Sequence, residues 1–521
     1  MLQAVLTSQM TSSCNFSCGV LEFLENSAVR FAQKTAVKDE SNAYSYGELL
    51  EKSRRIGSAL CQQSPARKPI AVLMEKSCDT LAAFFGIAYA GCCYTLMNPG
   101  LPTPRLQQIK QVLGANIVIT DTEHEALAEE IFSKEDIILN IQALLSAPIE
   151  EELLTVVRRG AVDTDPLYIN FTSGSTGVPK GVIIAHRSVL DFIPIFTRTF
   201  GIGQEDILAN QAPFDFDVSV KDIFSAMSTG ATLVLVPKQL FSGPTALLDY
   251  LCENNITVMV WAVSALCLIS TFHGLDYKVP STVKKILFSG EVMPAKHLSQ
   301  WMEKLPQTTF VNLYGPTEIT CNCTYHIVDR TEENSVLPIG KPFDNERVFL
   351  LDSDNRLILE SETDKTGEIC VAGTALSPGY FNAPEQTAKA FVQNPLNPYY
   401  PETIYRTGDL GRYDENGNLF FSGRKDFQIK HMGHRIELEE IERAIHDVEG
   451  IRRCCCIFDE RKSKLYGFYI GDFERRELFQ VLKDKLPEFM IPGALRKVDE
   501  MPLTKNGKID RKVLKERVIK K

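Results

Sequence analysis

The chain has 521 residues, with 56 basic against 66 acidic side chains for a net charge of −10, and is 44% hydrophobic and 23% charged. That length exceeds one ordinary domain, and the composition is that of a globular protein. The acidic balance argues against a general binder of nucleic acid or of an anionic membrane.

The N-terminus lacks a basic n-region and a long apolar core, so it does not read as a signal peptide. Val20, Leu21, Leu24, Ala28 and Phe31 recur at helical spacing and predict an amphipathic helix over 19–33. Ser45-x-x-Glu48 is a capping box that opens a second helix. A strand over 69–74, a helix over 77–90, a strand over 93–97, a helix from Arg105 and a strand over 116–120 follow. Thr80–Met97 approaches the length of a membrane span, but Gly86 and Gly91 interrupt it, and a buried helix running into a buried strand is expected. Ile256–Thr271 is read in the same way.

Strands are predicted over 166–170 and 182–184, on either side of Phe171-Thr-Ser-Gly-Ser-Thr-Gly-Val-Pro-Lys180-Gly181. Glycines let backbone N–H groups close on an anion, hydroxyls add donors, and Lys180 adds a point charge. The segment reads as a phosphate-gripping loop without the Walker ending, although a polar surface hairpin has the same composition. Further strands over 231–236, 257–261, 285–288 and 309–313 and a helix over 244–253 continue an α/β rhythm that predicts a mostly parallel sheet covered on both faces. Several strands end in Gly-containing polar loops, which in open α/β sheets converge on one site.

From about residue 340 short strands such as 347–351, 368–372 and 419–421 are separated by turns and suggest a β-rich subdomain. The last hundred residues, with a strand over 464–470 and a helix over 475–486, read as a compact α+β domain. Asp409 follows a Thr-Gly turn and is either a ribose ligand or a turn-forming aspartate. Asn506-Gly507 presents Lys508 on a loop tip, either as a reactive cation or as part of a solvated basic terminus. Gly433 between basic residues suggests a mobile loop. The 14 cysteines form adjacent runs or pairs without zinc-site spacing, which points to reduced thiols in a cytoplasmic protein.

The segments Phe171–Gly181, Phe216–Phe224, Asn312–Glu318, Gly367–Glu368, Tyr405–Leu410, Gly423–Lys430 and Asn506–Lys508 match, in order, those of one family. The chain resembles the adenylate-forming enzymes, the group of acyl-CoA synthetases, luciferases and peptide-synthetase adenylation domains. Within it the chain is most similar to free-standing D-alanine–carrier protein ligases and amino-acid adenylation domains. The resemblance implies a large domain of parallel and mixed sheets with covering helices over 1–425, its β-rich part at about 340–425. A hinge at Asp426 then joins a small mobile domain over 426–521.

It also implies roles. Thr172, Ser173, Gly174, Ser175, Thr176, Gly177 and Lys180 would hold the pyrophosphate portion of ATP. Asn312 and Tyr314 would contact the adenine and Thr317 the α-phosphate, with Gly290, Glu291, Leu313, Gly315 and Pro316 completing the nucleotide site. Glu318 would bind Mg²⁺, and Asp409 and Arg424 would hold the ribose with Phe421 nearby. Lys508 would be catalytic, bridging the substrate carboxylate and the α-phosphate. Asp217 would pair with the α-ammonium of an amino acid, unless it and Ser219 merely cap a helix. Val218, Lys221, Ser264, Leu287, Ser289, Leu313, Cys321 and Asn322 would line the side-chain pocket.

Ser289 and Lys221 depart from the D-alanine ligases and put D-alanine in doubt. Lys221 either meets an acidic or amide side chain or extends out to solvent. No carrier segment is recognised, so the thiol acceptor, the phosphopantetheine arm of a carrier protein, is expected from another molecule. The alternatives are an acid–CoA ligase and a non-catalytic nucleotide-binding relative.

Overall fold

The computed structural model describes residues 18–63, 67–174, 177–332, 336–460, 462–503 and 509–519. The helix Tyr46–Cys61 starts where the capping box places it: Ser45 Oγ accepts from the Glu48 N–H at 3.3 Å and Glu48 Oε2 from the Ser45 N–H at 2.8 Å. It crosses the almost wholly buried helix Cys78–Tyr89 at a point where both backbones must approach closely. A Cβ on Gly57 would stand 2.5 Å from Tyr89 Cβ, and one on Gly86 would stand 2.5 Å from Ile56 Cβ. The apolar run 80–97 is thus a buried helix followed by the buried strand Cys93–Leu96. In 256–271 the order is reversed: the strand Val258–Ala262 comes first and leads into the helix Val263–Thr271. Among the described residues no helix is long and apolar enough to cross a membrane.

Two sheets dominate. In one, the strands Thr309–Tyr314, Lys285–Ser289, Val258–Ala262, Ile207–Asn210, Thr232–Leu235 and Thr35–Lys38 run parallel, and antiparallel strands flank them at both edges. Their register sets Ala262, Ser289 and Leu313 side by side at the strand ends. In the other, Pro69–Leu73, Cys93–Leu96, Ile117–Thr120, Ile137–Asn140 and Pro166–Thr172 are parallel. Lys180–Ala185 returns antiparallel on Pro166–Thr172, because a short connection closes a hairpin and is too short for a parallel crossover. A core including Phe84, Tyr94, Tyr168, Phe192 and Phe224 lies between these sheets and their helices. A second core surrounds Trp261 and Trp301, whose indole N–H groups donate to the carbonyls of Ala209 and Leu266.

The expected β-rich part is an antiparallel sheet built on Glu346–Leu351, Gly367–Gly373 and Thr403–Tyr413. Beyond it the hairpin Gln428–His431/His434–Glu437 leads to the helix Leu438–His446. A three-stranded sheet follows, and the segment has its own core around Ile441, Ile445, Leu478 and Leu482. Helix His186–Phe200 goes beyond the sequence-derived elements. It carries Pro194, and the Thr197 hydroxyl donates to the Ile193 carbonyl at 3.0 Å one turn back.

Two expectations follow. Gly86→Val forces the helix crossing apart and should cost about 1–3 kcal/mol in urea unfolding, even though Val is the better helix former. Glu346 is buried, its Oε1 accepts from the Ala375 N–H at 3.0 Å, and burial pushes its carboxyl up to about 8 from 4.5. Between pH 4.5 and 8 the folded chain keeps a proton that the unfolded chain loses, so this group's stabilisation falls as pH rises through that window. Glu346→Gln should therefore flatten the fall in melting temperature across that range; an unchanged slope would count against the assignment.

Candidate active site

The hairpin Pro166–Thr172/Lys180–Ala185 pairs Thr172 with Lys180 at its neck, which fixes the lysine beside the loop. Within the loop Gly174 has no room for a side chain, since a Cβ would lie 2.1 Å from the Val178 carbonyl oxygen. Ser175 and Thr176 lie outside the described residues, as does Lys508. Thr172 Oγ1 is enclosed and has no partner among the described residues.

Lys180 Nζ donates to Glu318 Oε1 at 3.3 Å and to the Tyr380 hydroxyl at 3.3 Å. Glu318 is 0% exposed, yet it is ringed by donors: Arg435 Nη1 lies 2.9 and 2.7 Å from its two oxygens and Tyr380 OH 2.7 Å from Oε1. Burial opposes its charge, but Arg435 and Lys180 outweigh burial and hold the carboxyl well below the usual range. A buried ionised oxygen donor beside a loop of hydroxyls and N–H groups fits a hard divalent cation shared with phosphate oxygens. Among the described residues no cluster of three or more acidic, His or Cys side chains offers a cage made of protein alone.

The backbone after Glu318 is unusual. Thr320 and Cys321 have φ of 55° and 86°, left-handed values rare for a β-branched residue. This turn brings Asn322 back against Gly315, where a Cβ would meet Asn322 Cα at 2.5 Å. Thr317, Glu318, Cys321 and Asn322 are thereby all buried near the end of Thr309–Tyr314. Leu313 and Pro316 are buried as well.

On one flank Tyr314 OH donates to Asp409 Oδ2 at 2.6 Å, and Arg424, opposite Asp409 in the sheet register, forms an ion pair with it. Arg424 also reaches Asp426 with Nε–Oδ1 at 2.7 Å and Nη2–Oδ2 at 2.9 Å. Phe421 packs in the same cluster as Tyr314, and Asn312 Nδ2 donates to the Pro338 carbonyl at 2.8 Å. Lys430 Nζ stands 5.6 Å from the Tyr314 ring centroid.

On the other flank Asp217 precedes the helix Val218–Thr229 but makes no side-chain cap; Ser219 Oγ donates to the Phe216 carbonyl instead. The capping alternative thus does not describe Asp217. Its carboxyl is pushed up by burial, against the Thr317 hydroxyl and the charges of Lys221 and Lys430. Lys221 is 0% exposed, so it does not extend out to solvent; Nζ donates to Asn322 Oδ1 at 2.6 Å. Val218 and Cys321 pack with Ala212 and Phe216. Ser289 is buried at its strand end, Ser264 half-buried, and Leu287 part of the inter-sheet core.

The tail hairpin closes the site. Gly433 N–H donates to Glu291 Oε1 at 2.8 Å, so Glu291 and neighbouring Gly290 face the hairpin turn. His434 stacks on Phe489 at 3.6 Å between ring centroids and lies 5.4 Å from Phe216. Ser173 Oγ donates to the Arg435 carbonyl at 2.7 Å, and Gly174 N–H to Glu440 Oε2 at 3.2 Å. Arg435, Tyr380 and Glu440 are site residues that sequence reasoning missed. The nearest signal was the basic context of Gly433.

Comparison with known proteins gives this arrangement its relatives. Residues 24–381 match the family of AMP-binding enzymes, and 440–508 match the AMP-binding enzyme C-terminal domain. Zwittermicin A synthase ZmaJ of Bacillus cereus is 33% identical over 510 residues, covering 95% of this chain and 94% of that protein. Surfactin synthase subunit 1 of Bacillus subtilis (strain 168) is 31% identical over 95% of this chain, which spans only 14% of that relative's length. The structure of PA1221, described as an NRPS protein containing adenylation and PCP domains, superposes with a TM-score of 0.81 at 25% identity over 96% of this chain and 97% of that one. The chain belongs to the AMP-binding, adenylate-forming enzymes.

Proposed function

We propose that this ligase of the adenylate-forming family activates an amino acid with ATP and passes it to the phosphopantetheine thiol of a carrier protein. In the first half-reaction a carboxylate oxygen bonds to the α-phosphorus of ATP and pyrophosphate leaves. In the second, a thiol bonds to the carbonyl carbon of the mixed anhydride, AMP leaves, and the thiol proton passes to solvent. The observation that carries the amino-acid reading is Asp217, a buried carboxylate with no ion-pair partner within 4 Å among the described residues. Such a group is costly unless a cation meets it, and the substrate's α-ammonium is that cation. A plain acid bound for coenzyme A would leave it unpaired. The solved NRPS protein that carries adenylation and PCP domains, and the relatives named as surfactin and zwittermicin A synthases, support the same choice.

In this reading Tyr314, Asp409 and Arg424 hold the adenosine, and Ser173, Gly174 and Lys180 hold the departing phosphates. Mg²⁺ held by Glu318 would neutralise phosphate charge. Lys508 supplies the cation between carboxylate and α-phosphate, the chain divides at Asp426, and the small domain moves between the half-reactions. Buried thiols such as those of Cys78, Cys93 and Cys323 fit a reducing, cytoplasmic setting. The buried Lys221 ammonium, which faces the neutral Asn322 amide, favours a substrate whose side chain ends in a carboxylate or amide.

Pyrophosphate exchange across the amino acids, D and L forms separately, tests this directly. Acidic and amide side chains should exceed alanine by at least about tenfold, since they add an acceptor to a buried ammonium that otherwise meets the neutral Asn322 amide. Asp217→Ala should lower kcat/KM for the amino acid at least about a hundredfold; exchange that survives it unharmed would sink the amino-acid reading. Asp409→Ala should raise the KM for ATP about ten- to a hundredfold and leave the amino-acid preference intact. Transfer to free coenzyme A but to no carrier protein would favour the acid–CoA alternative.

A further inference from the structure

Beside the amino-acid pocket stands a buried hydroxyl, that of Tyr168, with no hydrogen-bond partner among the described residues. Tyr168 is 1% exposed and lies on the strand Pro166–Thr172, just before the phosphate-gripping loop. Its ring is held from behind. It pairs in register with Tyr94 and packs on that ring at 5.7 Å between centroids. Tyr94 in turn stacks on Phe84 at 4.1 Å, with the planes 7° apart. This column of rings belongs to the core between the two large sheets, together with Val220 and Phe224 of the helix that Asp217 precedes. Burial, then Tyr94, then the Asp217 carboxylate and the Cys321 thiol hold the phenol well above its ordinary value. The hydroxyl is therefore neutral, and its oxygen keeps lone pairs to offer beside Asp217.

A buried hydroxyl left unpaired costs free energy, and buried polar groups are as a rule paired, so this oxygen calls for a ligand. The group expected beside Asp217 is an ammonium, which brings three N–H donors. One carboxylate, with two oxygens, meets at most two of them, and Asp217 also receives the Thr317 hydroxyl. We propose that Tyr168 is a second ligand of the substrate's α-ammonium group: its oxygen accepts one N–H while Asp217 supplies the opposite charge. The empty pocket carries the cost of the unpaired oxygen, and the arriving ammonium removes it. The ring column keeps the hydroxyl in place beforehand, so little order is lost when the substrate binds. An acid without the amine leaves Tyr168 and Asp217 both unpaired, and the two groups reject it together. The inference rests on the amino-acid reading of Asp217 and adds to it a residue from the other sheet.

The test is Tyr168→Phe in the full chain, which removes one oxygen and keeps the ring column. Pyrophosphate exchange is measured with the amino acid that the wild type activates best, and the des-amino analogue of that amino acid is followed as a competitive inhibitor. The variant should lose at least about tenfold in kcat/KM for the amino acid, mainly through KM, with the KM for ATP unchanged. The inhibition constant of the analogue should stay as in the wild type, because the analogue has no ammonium to lose a partner. Without substrate the variant should melt no lower than the wild type, since the deleted oxygen has no bond to lose. In the Asp217→Ala background the same change should cost much less, because both residues hold one group. Equal losses for amino acid and analogue, or a lower melting temperature with the amino-acid KM unmoved, overturn the proposal and leave the oxygen to a buried water. Wild-type exchange that Tyr168→Phe leaves unchanged sinks this inference alone. A wild type that exchanges with no amino acid sinks the reading of Asp217, and this inference with it.

Discussion

Everything in the site turns on one buried carboxylate. Glu318 is 0% exposed, and an ion that far from water survives only because Arg435, Lys180 and the Tyr380 hydroxyl surround it. Each partner arrives from a different part of the chain: the loop hairpin, the strand Gly379–Tyr380 and the tail hairpin. The carboxylate is thus a junction of three elements rather than a local contact. Truncating it would strand two half-buried cations at once, and for that reason its loss is a structural injury as well as a chemical one.

The strand register explains why separate segments reach this junction. Ala262, Ser289 and Leu313 end level with one another, so the loops that follow are laid along one edge. The left-handed residues Thr320 and Cys321 then fold the chain back, placing Asn322 beneath Lys221 while Thr317 meets Asp217. A relaxed turn would carry these side chains away from the helix Val218–Thr229. The strain is local, and buried contacts such as the Thr320 hydroxyl's bond to the Ala375 carbonyl at 2.6 Å hold it in place.

Local signals made much of the fold legible. The capping box at Ser45 and Glu48, the apolar strands 69–74, 285–288 and 309–313, and the short connection between 166–170 and 182–184 each act within a few residues, and each is found as read. The helix His186–Phe200 was hidden by Pro194, whose local penalty is outweighed by burial of Val189, Phe192, Ile193 and Phe196. The mixed edges of the large sheet, such as Ala43–Ser45 on Thr35–Lys38, depend on pairing and leave little trace in periodicity. In the site, Asp217, Glu318 and Asp409 stood out because they lie in recognisable segments. Arg435 and Glu440 did not, because their meaning depends on partners more than a hundred residues away. Lys221 was readable as a residue but not as a direction: only the packed structure shows its ammonium turned inward onto Asn322.

The two indoles of this chain have an optical consequence. Trp261 and Trp301 are its only tryptophans, and both are enclosed in one core under the large sheet. Tryptophan emission therefore reports the melting of that layer and carries no direct signal from the segment after Arg424. Aromatic light from there comes from tyrosines such as Tyr466 and Tyr469 on its central strand. A tail that loosens or turns while the sheet stays intact would be dark in the tryptophan channel, so a tryptophan placed on the exposed face of the tail would convert a silent movement into a visible one.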